Sequence, residues 1–130
     1  MKLEHVAVNV ADPVALAEWY VEHHGMQIAF QLDRPPHTCF LRDSGGKMML
    51  EIYHNPADQV PDYAAMDPLL LHFAFVSADP AADKMRLIQA GATPVSDDVL
   101  EDGSHIVMLR DPWGLCIQLC KRSKKLLLDD

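Results

Sequence analysis

The chain has 130 residues, 49% of them hydrophobic, which is enough to bury the core of one ordinary domain. Its formal charge of −8 argues against a nucleic-acid partner, because like charges repel and no basic stripe compensates. No apolar run reaches about eighteen residues and no signal-peptide core is present, so we expect a cytoplasmic protein with no membrane partner. The three cysteines, Cys39, Cys116 and Cys120, have neither disulfide nor zinc spacing and are expected to be reduced thiols.

The first predicted strand is LEHVAVNV, residues 3–10, in which polar and apolar residues alternate. Its valines share one face, and His5 lies on the other. Asp12 then suits an N-cap and Pro13 the first position of a helix that runs to about residue 24, where Gly25 is placed to end it. The predicted buried stripe of this helix consists of Val14, Ala17 and Val21.

Three extended segments follow the helix, at about 26–33, 37–42 and 47–53. The segment at about 54–68 carries three prolines and is predicted to be a linker.

The second half of the chain repeats the first. HVAVNVADP at 5–13 returns as HFAFVSADP at 72–80 with five of nine residues identical, and HTCFLRD at 37–43 returns as HIVMLRD at 105–111. The repeat predicts a strand near 71–75 and a helix opened by Asp79 and Pro80 and ended near Gly91. The predicted buried side of that helix carries Met85 and Ile88. Strands complete the second half at about 93–100, 104–110 and 115–121.

Each half is therefore predicted to be one βαβββ module, which makes the fold class α+β. We expect a single domain with module one at about 2–53, the linker at 54–68, module two at 69–121 and a C-terminal tail at 122–130.

The histidine of each first strand and a polar residue of each fourth strand are predicted to share one face of the sheet. The more continuous apolar face of a sheet packs against its helix, so Leu50 and Ile52 go under the helix. The helix-free face then receives the repeat-equivalent residues His5, Glu51, His72 and Gln118. Two imidazoles, a carboxylate and an amide oxygen form a ligand set suited to a divalent metal such as nickel, zinc, iron, manganese or cobalt.

Paired βαβββ modules with this pattern resemble the vicinal oxygen chelate superfamily, over residues 2–121. LRDPWGLCIQL at 109–119 is similar to the superfamily's terminal D-P-x-G-x-x-[IV]-E-L pattern. The resemblance implies a curved mixed sheet around a metal-bearing cavity, with His5, Glu51, His72 and Gln118 as metal ligands. It departs at Gln118, where bacterial-type glyoxalases and extradiol dioxygenases have glutamate.

The resemblance favours a divalent-metal-dependent lyase or isomerase of the glyoxalase-like type. Such an enzyme acts on a small substrate with vicinal oxygens through an enediolate-like intermediate, and Glu51 is assigned as the proton-transferring base as well as a ligand. The alternative is a non-catalytic small-molecule-binding protein of the bleomycin-resistance type. An extradiol-type dioxygenase is less favoured, because its facial triad uses the glutamate that Gln118 replaces.

His37 and His105 are also repeat-equivalent and are candidates for substrate contacts at the cavity wall. The family commonly assembles as dimers, so a homodimer is expected, with the cavity closed either within one chain or between two. The residues leave open which substrate and which metal are bound.

Overall fold

The chain divides into two units after Pro61. The computed structural model describes residues 1–128. Each unit has one α-helix and its own four-stranded mixed sheet, so the predicted α+β class with two βαβββ modules is confirmed. The last two residues of the predicted tail lie outside the described residues.

The elements follow the predicted order. The first unit consists of β1 (His5–Asn9), α1 (Pro13–His24), β2 (Gln27–Gln31), β3 (Cys39–Arg42) and β4 (Met49–Tyr53). The second consists of β5 (Phe73–Val76), α2 (Pro80–Gln89), β6 (Thr93–Val99), β7 (His105–Arg110) and β8 (Cys116–Lys121). No helix among the described residues is long and apolar enough to cross a membrane.

The two sheets share one strand order. They run β1-β4-β3-β2 and β5-β8-β7-β6, and in each the first strand pairs parallel with the fourth, whereas the other pairs are antiparallel. Sequentially distant first and fourth strands are therefore neighbours, which places the candidate residues of each unit on adjacent strands.

Both helices begin with the same cap. The side chains of Asp12 and Asp79 accept hydrogen bonds from the backbone N–H of Ala15 and Ala82, at 3.0 and 3.1 Å, and a proline follows each cap. Helix α1 ends as predicted at Gly25, whose φ of 64° is left-handed.

The buried side of each helix differs from the prediction. In α1 Ala17 is buried together with Pro13, Leu16, Trp19 and Tyr20, whereas Val14 and Val21 are exposed. In α2 Pro80 and Leu87 are fully buried, whereas Ile88 is half-buried and Met85 is exposed. The reason is that several apolar positions in each helix allow neighbouring stripes, and the sheet beneath selects among them.

The predicted faces of the first sheet agree with the burial of most of the residues assigned to the helix side, although Val6 at the start of β1 is exposed. Val8, Val10, Leu50 and Ile52 are buried, and Glu51 belongs to the opposite, helix-free face because side chains alternate along a strand. In the second unit Ile117 and Leu119 are buried in the same way.

A short 3-10 helix, Tyr63–Ala65, lies within the segment predicted to be a linker, and it belongs to the second unit. Tyr63 is buried. Arg110 donates to the carbonyl oxygens of Tyr63 and Met66 at 2.9 and 2.8 Å. These bonds attach the segment to the end of β7.

Candidate functional site

The candidate residues of the first unit are in contact. His5 Nε2 lies 3.2 Å from Glu51 Oε2, and the parallel pairing of β1 with β4 sets Ala7 directly beside Glu51. The Glu51 side chain is only 21% exposed. The register of two separate strands therefore brings an imidazole and a carboxylate together on the helix-free face.

The other ring nitrogen of His5 contacts a second carboxylate. His5 Nδ1 lies 3.0 Å from Glu4 Oε1. A metal-ligating histidine usually donates its second ring hydrogen to a carboxylate or a backbone carbonyl, which leaves the first nitrogen with its lone pair. The contact with Glu4 thus favours His5 Nε2 as the nitrogen available to a ligand.

Glu4 was missed in the sequence analysis. Strict strand alternation places residue 4 on the face opposite His5, but β1 begins only at His5 and the Glu4 side chain is free of that constraint. The usable signal was an acidic residue directly beside a candidate histidine.

Aromatic rings flank the pair. Phe40 pairs with Glu51 across β3 and β4, and its ring lies edge-on to the His5 ring at 5.3 Å. Phe30 contacts Phe40 in turn, at 6.2 Å between ring centroids. The carboxylate therefore lies beside an apolar surface, where hydrogen bonds and ion pairs are stronger than in bulk water.

An open pocket of about 730 Å³ borders Glu51 in the first unit. The other residues that line it are Ala7, Pro35, Pro36, Tyr53, Asn55 and Pro56. Its wall is largely apolar, and Glu51 is the one acidic residue among them.

In the second unit, His72 directly precedes β5, and its Nδ1 lies 2.8 Å from the carbonyl oxygen of Pro68. This contact has the same consequence as that between His5 and Glu4, because it leaves Nε2 as the nitrogen with the lone pair.

Gln118 differs from Glu51, its repeat equivalent. The Cys120 thiol donates to Gln118 Oε1 at 2.9 Å. Burial raises the pKa of Cys120, and also that of Cys116, so both thiols remain protonated at neutral pH.

The remaining two predicted residues, His37 and His105, are not among those that line the pocket beside Glu51. His105 Nε2 lies 2.7 Å from Asp97 Oδ1, and Lys84 Nζ of α2 binds the same carboxylate at 2.8 Å. The hydrogen bonds from Lys84 and His105 hold the pKa of Asp97 below its ordinary value. His37 adopts a positive φ of 55° in the turn before β3.

Across residues 1–128, no three His, Cys, Asp or Glu side chains cluster closely enough to hold a metal ion by themselves. In kind, the first-unit donors His5 and Glu51 are ligands that a divalent ion takes, and His72 of the second unit is held through Nδ1 in the same way as His5.

The sequence matches the model of the glyoxalase-like domain family over residues 5–120. The chain belongs to this family. Its fold is accordingly that of the vicinal oxygen chelate superfamily, which includes both enzymes and ligand-binding proteins. No protein with a curated description matches the sequence significantly.

Several solved structures share the fold of this glyoxalase-like chain. A superfamily member from Sphaerobacter thermophilus is 15% identical with a TM-score of 0.74, covering 94% of this chain and 98% of that one. TnmS3, described as an antibiotic binding protein from a Streptomyces species, is 20% identical with a TM-score of 0.70, covering 92% and 93%. A glyoxalase family protein from Bacillus cereus is 16% identical with a TM-score of 0.69, covering 92% and 91%.

Proposed function

We propose that this protein is a divalent-metal-dependent lyase or isomerase of the glyoxalase-like type, acting on a small substrate with two vicinal oxygens. His5, Glu51 and His72 are its proposed metal ligands. The proposal rests chiefly on His5, whose Nδ1 contacts Glu4 while its Nε2 faces Glu51 at 3.2 Å. The half-buried Glu51 carboxylate beside a ring nitrogen whose partner nitrogen already has an acceptor is what supports this assignment.

Glu51 is the proposed base. A bound divalent ion supplies Lewis-acid stabilisation of negative charge on a substrate oxygen. The two roles are compatible because a chelating substrate would take the place of the Glu51 carboxylate, which would then remove the proton from the neighbouring carbon. The apolar surface of Phe40 beside it limits the water that competes for the carboxylate. Because Gln118 cannot accept that proton, a single base acts from one side and the reaction is stereoselective.

Metal content tests the ligand set. Protein purified without an affinity tag should contain a divalent metal, and His5→Ala or His72→Ala should lose it and melt at a lower temperature. His23→Ala is the matched control, because His23 lies at the end of α1 beside Glu22. If chelator treatment changes neither the metal content nor the melting temperature, the metal-dependent proposal is wrong.

Proton exchange tests the base. Once a substrate is found among 2-hydroxy and 2-oxo compounds, its α-hydrogen should exchange in deuterated water. Glu51→Gln should slow that exchange about a hundredfold or more, the usual scale for a general base. Glu22→Gln changes a carboxylate beside a histidine outside the site and should leave the rate intact. Exchange at the wild-type rate in Glu51→Gln would assign the proton transfer to another group.

A second candidate is a small-molecule-binding protein, which the largely apolar pocket beside Glu51 favours. Such a pocket with one carboxylate suits a ligand that combines an apolar body with a cationic group. Calorimetric titration of chelator-treated protein with metal-free bleomycin separates the two functions. Tight binding that Glu51→Gln weakens, without any α-proton exchange, would favour the binding protein.

A further inference from the structure

The pocket beside Glu51 is lined by residues of the first unit, all of them within Met1–Pro61. Its volume of about 730 Å³ lies within the range of pockets that hold drug-sized ligands, about 300–1,000 Å³. The smallest compounds with two vicinal oxygens would fill only a small part of it. The pocket therefore has room for a large body attached to the two oxygens.

The wall of this pocket is built mostly of rings. Pro35, Pro36 and Pro56 contribute pyrrolidine rings from two loops. Tyr53 lies two positions after Glu51 in β4, so its aromatic ring is on the same helix-free face and lines the pocket with it. Such rings offer a large apolar contact area to another ring. The wall therefore suits an aromatic body better than a polar one.

The two loops of the wall are held to each other and to β1 by hydrogen bonds. The backbone N–H of His54 donates to the Pro36 carbonyl oxygen at 2.9 Å, which joins the loop before β3 to the loop after β4. The backbone N–H of Asn55 donates to Asn9 Oδ1 at 2.8 Å, and Asn9 Nδ2 donates to the Asn55 carbonyl oxygen at 3.2 Å. A wall that is fixed in advance loses little conformational entropy when a ligand binds.

The wall has little to offer an anionic group. The Asn55 side chain accepts from the backbone N–H of Ala57 at 3.1 Å and donates to Asp58 Oδ2 at 2.8 Å, so both of its polar atoms have protein partners. None of the residues that line the pocket is a lysine, arginine or histidine, and Arg34, which precedes the prolines, is exposed to solvent. A carboxylate or phosphate on the body of the substrate would lose hydration here without gaining a partner, and Glu51 would repel it.

We infer that the substrate is a vicinal hydroxyketone with a bulky aromatic body that carries no anionic group, and that Tyr53 selects this body. The inference rests on the proposed function, which assigns the two oxygens to the site at His5 and Glu51. The α-carbon of a hydroxyketone bears the hydroxyl group and also the hydrogen that Glu51 is proposed to remove. The aromatic body then lies against Tyr53 and the prolines, and Tyr53 is a specificity-determining residue with no part in the proton transfer.

A series of hydroxyketones tests the inference on the wild-type protein. NMR titration, which measures weak binding, compares hydroxyacetone, 2-hydroxyacetophenone and 4′-carboxy-2-hydroxyacetophenone. 2-Hydroxyacetophenone should bind at least about tenfold more tightly than hydroxyacetone, because its ring leaves water for an apolar wall. The carboxylate at the far end of the third compound should remove most of that gain. Equal binding of the first two compounds, or tightest binding of the carboxylated one, would overturn the inference.

Variants of Tyr53 test its role in selecting the aromatic body. Tyr53→Leu should weaken the binding of 2-hydroxyacetophenone about three- to tenfold and change that of hydroxyacetone less than about twofold. Tyr53→Phe keeps the ring and should bind both compounds as the wild type does. Phe30→Leu is the matched control, because Phe30 is an exposed aromatic residue of the same unit that does not line the pocket. If Tyr53→Leu weakens the two compounds equally, or no more than Phe30→Leu does, the role of Tyr53 is wrong.

Metal removal separates this inference from the proposed function. The preference for 2-hydroxyacetophenone over hydroxyacetone should remain about tenfold after chelator treatment, because neither Tyr53 nor the prolines are proposed metal ligands. Wild-type protein that binds no metal would contradict the proposed function, while the preference between the two compounds would still decide the inference. A preference that disappears with the metal would mean that the pocket wall does not bind the ring, and would overturn the inference.

Discussion

Gly114 shows how one residue of the D-P-W-G turn fits its surroundings. Its φ is 91°, and a Cβ there would lie 2.6 Å from the backbone nitrogen of Ala64. The approach is close because Arg110 bonds to the carbonyl oxygens on both sides of Ala64, and to that of Gly114 itself at 3.1 Å. The turn requires glycine for its backbone conformation and for its missing side chain.

Gly114→Ala should therefore destabilise the protein more than Gly103→Ala. Gly103 has a similar φ of 86°, but a Cβ there would meet no atom within 4 Å, so it controls for the backbone conformation alone. Each substitution costs about 1–2 kcal/mol for the left-handed backbone, and Gly114→Ala adds roughly 1–3 kcal/mol of overpacking. Urea unfolding measures both, and equal losses would contradict the close approach.

The three thiols should be inert in the folded protein. Burial raises the pKa of the Cys39 thiol to about 11, and it raises those of Cys116 and Cys120. Only the thiolate reacts with alkylating agents, so iodoacetamide at pH 8 should label none of the three until urea unfolds the chain. Mass spectrometry with and without urea measures this. Rapid labelling of native protein at any of them would contradict the burial.

Among the elements, α2 is held to its sheet by charge as well as by packing. Leu87 of α2 is fully buried. Lys84 of the same helix binds Asp97 of β6, which also accepts a hydrogen bond from His105 of β7. One carboxylate therefore connects a helix and two strands. His105 therefore has as its partner a carboxylate that Lys84 of α2 also binds.

The contribution of Asp97 should depend on pH. Its pKa in the folded protein is lowered from 3.8, first by the hydrogen bond from Lys84 and then by that from His105. A lowered pKa stabilises the fold above the unfolded value and loses that effect as the pH falls through the folded value. Asp97→Asn should thus lower the melting temperature slightly at pH 6. The difference in melting temperature between this variant and the wild type should disappear well below pH 3.8.

Asp98→Asn is the control for this pH dependence. Asp98 is the exposed neighbour of Asp97 and makes no ion pair with the residues that the structure describes. Its substitution should leave the melting temperature nearly unchanged at both pH values. A difference in melting temperature between the wild type and Asp97→Asn that persists at low pH would show that Asp97 acts through packing and not through its charge.

At the scale of the whole molecule, we expect a homodimer. Leu69 and Leu70 are adjacent in the sequence and are 81% and 74% exposed in the single chain, and grouped exposed apolar side chains are typical of protein interfaces. Light scattering should give about 29 kDa, twice the chain mass of 14.5 kDa. A particle that remains at the mass of one chain at micromolar concentration would contradict this expectation.

The sequence by itself determined the elements, their order and the repeat. Cap residues and strand alternation act over a few neighbouring residues, so Asp12, Pro13 and Gly25 set the bounds of α1 in advance. The same alternation placed Glu51 on the face away from the helix. These features were predictable because each depends on local geometry.

Only the tertiary structure decided which groups meet. The stripe of α1 that became buried, with Leu16 and Tyr20, depended on the sheet beneath it. The contact of Glu4 with His5 depended on where β1 begins. The contact of Cys120 with Gln118 depended on the packing of β5 and β7 on both sides of the thiol. Glu51 and Gln118 occupy equivalent places in the repeat, yet their partners differ, because side-chain contacts depend on residues that the repeat does not conserve between its two copies.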